Sequence, residues 1–207
     1  NHLPFAFFYC TDRSWNPYYA DPIVRGRLEA VLRFWCNMQN DDGRFSEYKP
    51  EGWNLPATAF ATKFMGQTLA LLADGPPIDP YLHQRVIAAD RAAIMATLTR
   101  DDLYRSGRFF SNQFSNVWGG AAAYVALFDD DEVRSLLEQR IRDSMNDFQS
   151  PAGYFYEANG PDWAYNMGTH HSNLRMAWHY LVGTETGDLL EEKERRWFEW
   201  LAWNAPM

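Results

Sequence analysis

The sequence predicts an all-α fold, an incomplete α/α toroid built of helical hairpins, and three observations carry that expectation. Apolar residues recur along most of the chain at the 3.6-residue period of amphipathic helices. Almost no segment alternates apolar and polar residues as a half-buried strand does. One loop sequence occurs twice at an offset of 110 residues, the mark of a repeated structural unit.

Seven helices follow in order. Residues 22–39 place Val24, Leu28, Val31, Leu32, Trp35 and Met38 on one stripe. Residues 56–73 carry a broader apolar face through Phe60, Phe64, Met65, Leu69 and Leu72, so this helix is expected to be covered on most sides. ADGPPIDP (73–80) stops it, because Gly and Pro cannot continue a helix. A third helix spans 80–98, and a fourth spans 113–128 with Val117, Ala121, Tyr124 and Phe128 in register. Acids in FDDDE open the fifth, which carries Val133, Leu137, Ile141, Met145 and Phe148. The sixth, 166–182, aligns Met167, His171, Leu174, Trp178 and Leu181, and the seventh covers 187–203. Residues 1–20 are expected as an extended segment and 21–207 as the hairpin domain, whole or part of a longer chain.

Composition narrows the function classes. The 207 residues suffice for one well-buried domain. An aromatic share of 16% excludes intrinsic disorder, and apolar runs are too short for a membrane span. A formal charge of −8 argues against a nucleic-acid phosphate groove. No basic-then-apolar leader is visible, so the chain reads as a mature form or a piece of a longer one. Cys10 and Cys36 lack any metal-ligand spacing and read as packed thiols before a disulfide. The aromatic surplus is what needs an explanation.

MQNDDGRFSEYKPEGW (38–53) lies on FQSPAGYFYEANGPDW (148–163) without a gap. Gln39 meets Gln149, Gly43 meets Gly153, Phe45 meets Phe155, Glu47 meets Glu157 and Trp53 meets Trp163. SGRFFSNQFSNVW (106–118) is a weaker echo. Each copy joins an outer helix to an inner one. The glycines serve as turns and the phenylalanines as hairpin plugs, whereas the glutamates and tryptophans are harder to place in a core.

The densest polar constellation is 153–180, which holds Tyr156, Glu157, Asp162, Trp163, Tyr165, Asn166, His170, His171, Asn173, Arg175 and His179. In a hairpin array the loop tips and inner-helix starts line one end of a concave surface, where a site is expected. G-x-F-x-E followed by a Tyr-rich loop and an inner helix resembles the segment that carries the catalytic tyrosine in α/α-toroid polysaccharide lyases of the heparinase II/III-like kind. NQFSNVWGG (112–120) resembles the family's Asn-plus-aromatic helix start. The likeness covers 35–182 as architecture, and its specific motifs are these two stretches. Ala152-Gly153 departs from the family's Asp-Gly, which Asp42-Gly43 keeps.

The resemblance implies β-elimination on a uronic-acid-containing polysaccharide, an anionic polymer or oligosaccharide, by a periplasmic or secreted enzyme without cofactor or metal. It also implies that the remaining hairpins, or a β-rich domain, lie elsewhere. A base takes the proton beside the uronate carboxylate, and an acid protonates the leaving oxygen. Donors must neutralise the carboxylate. On that reading Tyr165 is the acid–base group, with Tyr156 its rival and His170 or His171 its partner. Asn116 or Asn112 holds the carboxylate, Arg175 and Glu157 bind substrate, and Trp53, Trp118 and Trp163 stack on sugar rings. Lys49, Lys63, Arg105, Arg108 and Arg175 supply positive charge.

Structural readings stand beside these. His171 lies on its helix's apolar stripe and suits a packed core histidine, with His170 beside the stripe. His179 reads as structural, Arg175 as a partner for Asp162, Asn112 and Asn116 as helix caps, and Trp118 as core. Asp129–Glu132 reads as a solvated helix start and not an acidic metal motif. His170 and His171 point about 100° apart on a helix and do not suit one ion. Two further functions remain open: a glycoside hydrolase drawing on Glu47, Glu157 and Asp162, or a non-catalytic carbohydrate-binding scaffold.

Overall fold

A computed structural model of the chain describes residues 2–158 and 160–205. Helix α1 is His2–Cys10, where an extended segment was expected. It has little amphipathic pattern of its own and is held by neighbours. Tyr9 Oη donates to the Pro77 carbonyl at 3.1 Å, and Asn16 Nδ2 donates to the Phe8 and Thr11 carbonyls at its end. Helix α2, Pro22–Asn37, starts on the Asp21 carboxylate, which accepts from the Ile23 and Val24 amides. The single helix expected over 56–73 is two, α3 (Leu55–Lys63) and α4 (Met65–Asp74), broken at Phe64. Asn54 caps α3, and Pro56 suits its first turn.

Helix α5, Pro80–Thr99, is capped by Asp79. A short α6, Asp101–Gly107, was not expected, and α7 (Ser111–Phe114) precedes α8 (Asn116–Leu127). Helix α9, Asp131–Phe148, starts on Asp130, which also pairs with Arg91 at 2.7 Å, so the acidic run is a helix start. A π-helical turn, Tyr165–His170, leads into α10, His171–Leu181. Helix α11, Glu185–Asn204, is capped by Thr184.

The helices form two rows. Helices α1, α4 with α3, α8 and α10 pack side by side, and α2, α5, α9 and α11 back them in the same order. Among the described residues regular β-strands are absent; only isolated bridges occur, at the loops. One core surrounds α8 with Phe114, Trp118, Phe148 and Phe155, and the other joins α1, α2, α4 and α5 through Leu28, Leu32, Met65 and Leu69. Cys10 and Cys36 are free thiols, and burial pushes both pKa values up.

Helix α8 is buried around almost its whole circumference, which explains the sequence NVWGGAAAYVAL. A Cβ at Gly120 would strike the Thr62 carbonyl of α3, and one at Gly119 would strike Met176 of α10. Asp90, on α5, is fully buried, and neither of its carboxylate oxygens has a hydrogen-bond partner among the described residues. Burial holds that carboxyl's pKa well above its usual range.

The repeated loops keep their offset in the hydrogen bonding. Gln39 Nε2 donates to the Gly43 carbonyl at 3.0 Å and to the Ala89 carbonyl of α5 at 2.7 Å. Gln149 Nε2 donates to the Gly153 carbonyl and to the Lys193 carbonyl of α11, both at 2.8 Å. Gly43 at φ +86° and Gly153 at φ +113° turn the backbone, and Phe45 and Phe155 are buried as plugs. A Cβ at Gly153 would also strike the Arg196 carbonyl of α11.

Gly153→Ala is therefore expected to cost about 2 kcal/mol, through both the positive φ and the collision. Gly26→Ala, on an open face of α2, should instead stabilise by about 0.5–1 kcal/mol. Urea denaturation of the two variants checks this. Equal effects would remove the packing role of the loop glycine.

Candidate functional site

A hollow of about 780 Å³ opens where the first repeat loop faces the starts of α3, α8 and the π turn. Much of its wall is apolar, with Trp35, Phe45, Phe60 and Phe64 as the aromatic members. Around it stand Glu47, Asn112, Gln113, Asn116, Tyr165 and Thr169. Tyr165 is 51% exposed. Its place is set by the π turn, whose start is tied down by the Asp162 carboxylate accepting from the Tyr165 amide at 3.0 Å.

Of the residues proposed from sequence, Asn112, Asn116 and Tyr165 thus meet at one hollow. Tyr156 does not line it; its ring packs edge-on against Tyr154 at 5.6 Å. Trp163 lies on Trp200 at 5.2 Å, and Trp53 pairs through its backbone with Ser46, which does line the hollow; neither tryptophan lines it. Trp118 is 0% exposed and packs within the core, so it is not available to stack on a sugar.

The histidines change places relative to the sequence expectation. His170 is 0% exposed, with its ring centroid 3.7 Å from that of Phe155 and edge-on to Trp118 at 5.6 Å. Burial lowers its pKa to about 3, so it is a neutral core imidazole and no partner for Tyr165. His171 is turned toward α11, where Nδ1 approaches Glu194 Oε1 to 2.8 Å without hydrogen-bond alignment, and its ring stacks on Trp197. The π turn is the reason. The His171 amide donates to the Asn166 carbonyl five residues back, which takes in one extra residue and rotates 166 and 170 inward.

Glu157 is enclosed and accepts from three donors: Ser111 Oγ at 3.1 Å, the Asn112 amide at 3.0 Å and Asn112 Nδ2 at 2.6 Å. Burial raises its pKa, opposed by those bonds. It ties the second loop to α7 and does not line the hollow. Glu47 does line the hollow, accepting from Asn54 Nδ2 at 3.3 Å, so the two equivalent glutamates have different surroundings.

The asparagines are not helix caps. Asn116 Nδ2 donates to the Asn112 and Gln113 carbonyls at 2.9 and 3.1 Å, and its Oδ1 is buried and unpartnered among the described residues. Asn173 Nδ2 donates to the same Asn112 carbonyl and to Ser115 Oγ. Asn116 therefore turns its nitrogen inward and is left with an acceptor, so it does not supply the carboxylate-neutralising donor expected of it.

Arg175 does not meet Asp162. Its guanidinium lies 4.7 Å over the Trp178 ring, outside the hollow. Lys63 is buried, donates to Ser172 Oγ at 3.2 Å and lies against the Phe64 ring, with its pKa lowered by burial. Among the described residues the lining holds no Lys or Arg. Its only histidine, His2, is pushed down to about 4, first of all by burial. No cluster of three or more metal-ligating side chains occurs among the described residues.

Sequence reasoning named Glu47 only as a hydrolase acid, and missed Gln113 and Thr169 as site residues together with the apolar wall. Gln113 stood inside the NQFSNVWGG run, and Phe60 and Phe64 were already marked as part of a broad apolar face. Comparison of the chain with protein-family models, curated proteins and solved structures found no match.

Glu157→Ala is expected to cost about 3 kcal/mol, because three buried donors lose their acceptor, whereas Glu47→Ala should cost well under about 1 kcal/mol. Denaturant midpoints of both variants decide it, and a mild Glu157 variant would sink the tie. The second expectation concerns pH. The folded pKa of His170 lies below the unfolded value near 6.5, so its contribution is complete above 6.5 and is lost as pH falls toward about 3. The stability difference between the chain and His170→Phe should tilt against the chain by up to about 1.4 kcal/mol per pH unit in that window. A difference that stays flat with pH would show that His170 is not buried neutral.

Proposed function

We propose that the hollow is a saccharide cleft on a helical-hairpin array of the α/α-toroid kind, and that Tyr165 performs β-elimination there on a uronic-acid-containing polysaccharide. The observation that supports this reading is the half-exposed Tyr165 side chain at a hollow whose apolar wall includes Phe60 and Phe64, among amide and carboxylate groups. Aromatic walls suit the apolar faces of sugar rings, and the polar rim suits their hydroxyls.

With both histidines turned elsewhere, one tyrosine must serve in both proton transfers. Its phenolate takes the proton from the carbon beside the uronate carboxylate. The electron pair left behind forms the new carbon–carbon double bond as the glycosidic carbon–oxygen bond breaks. The resulting phenol returns that proton to the departing oxygen. Among the roles the resemblance implied, the tyrosine's has the most support, since Asn116 keeps an unpartnered acceptor and Asn112 Nδ2 is engaged by Glu157.

A second reading is saccharide binding without turnover. The lining, with the acid Glu47 and no Lys or Arg among the described residues, and the inward-turned Asn116 nitrogen favour it, because an ionised uronate would meet a carboxylate there without a cation to offset it. Hydrolysis has less support: Glu157 is enclosed and only Glu47 lines the hollow as an acid, whereas glycoside hydrolysis uses a facing carboxyl pair.

Incubation with uronic-acid polysaccharides, followed by ultraviolet absorbance of the unsaturated product, tests the reading. The expected outcome is rising absorbance that falls at least about 100-fold in Tyr165→Phe and is unchanged in Tyr156→Phe, with polysaccharide binding retained in both. Full activity in Tyr165→Phe overturns the assignment. Binding with no unsaturated product leaves the scaffold reading.

A further inference from the structure

We propose that a second hollow, on the face formed by α4 and α10, is a subsite for one anionic sugar residue, with Arg175 and His179 as its anion-reading groups. It measures about 240 Å³ and is lined by Gln67, Arg175, Met176, Trp178, His179 and Tyr180. That is below the roughly 300–1,000 Å³ of pockets that take drug-sized ligands, so it fits a single ring bearing one anionic group.

The residue chemistry sets the ligand class. Arg175 and His179 are four residues apart on α10, so they stand one turn apart on the same face. The lining holds these two nitrogen bases and no acid, in a chain whose formal charge is −8. Among the described residues no carboxylate comes within 4.0 Å of the Arg175 guanidinium. That guanidinium lies 4.7 Å over the Trp178 ring, a contact that uses none of its N–H donors and leaves them available for a carboxylate or sulfate. Gln67, from α4, adds an amide, and the Tyr180 ring stands edge-on to His179 at 4.9 Å. Met176 packs at the base against Gly119 of α8, so the floor is apolar and fixed by the close approach of α8 to α10. An anionic head over an aromatic and apolar floor is the pattern that reads a sugar acid or a sugar sulfate.

This subsite is separate from the Tyr165 hollow, and the two have a common neighbour. A third hollow of about 710 Å³ shares Gln67 and Tyr180 with the subsite and shares Leu3 and Pro4 with the Tyr165 hollow. A saccharide chain following that path would present its anionic residue to Arg175 at a distance from the reacting ring. Only this last point rests on the function proposed above; the subsite itself does not.

Titration with glucuronate, glucose 6-sulfate and glucose, read by calorimetry and by Trp fluorescence, tests the subsite. Both anionic sugars, or one of them, should bind, and the pair distinguishes carboxylate from sulfate as the preferred group. Glucose should bind at least about tenfold more weakly. Arg175→Gln should weaken the anionic sugar about tenfold or more, Arg175→Lys less, and Tyr165→Phe not at all. Arg175 is exposed, and unchanged circular dichroism of the variant confirms its fold. No binding of either anion, equal binding of glucose, or full binding by a folded Arg175→Gln each overturns the subsite. Loss of elimination in Tyr165→Phe with anion binding intact separates the two proposals.

Discussion

Helix α8 is approached at Gly119 by Met176 of α10, at Gly120 by the Thr62 carbonyl of α3, and near Ala123 by Gly66 of α4. Any side chain at those glycines would push a whole helix away, because interiors pack to the density of organic crystals and cannot absorb an added Cβ. The first row of helices is spaced by these approaches, and the second row rests on it. The site depends on them too. Asn112 and Asn116 reach the hollow from the segment that starts α8, and Met176 forms the base of the subsite because α10 lies so close.

The two glutamine-anchored loops give the rows their order. Each glutamine amide closes its own glycine turn and then binds a carbonyl of the next backing helix, α5 for Gln39 and α11 for Gln149. A buried donor without an acceptor is costly, so these bonds fix how one hairpin sits on the next. The loops then diverge in use. Glu47 faces the hollow, whereas Glu157 is turned inward to hold Ser111 and Asn112. The repeat supplies a frame, and the polar groups added to it decide which copy carries a site.

Much of the fold was legible because its signals are local. Asp21, Asp79 and Asp130 precede their helices and cap them, and Gly43 and Gly153 make the turns their positions suggest. The break at Phe64 and helix α1 were not legible. Helix α1 lacks a strong periodic pattern and is stabilised by contacts with Pro77 and Asn16. Within the site, Tyr165 was found by its place in the Tyr-rich loop, and Asn112 and Asn116 by the run that holds them. Their roles were not legible, since nothing in Asn116's neighbours along the chain tells which end of its amide faces inward.

By itself, then, the sequence determined an all-helical chain of hairpins, the positions of their turns, and the loop from which Tyr165 comes. These follow from periodicity, capping and backbone stereochemistry, which act over a few residues. Only the tertiary structure decided that His170 is enclosed and His171 faces α11, and that Arg175 stands with His179 and Gln67 in a hollow of its own. The π turn changes the phase of the helix that an unbroken 3.6-residue period would give. The remaining choices were made by partners from distant parts of the chain, which enclose α8 almost all round and bury only one face of helices such as α2 and α9.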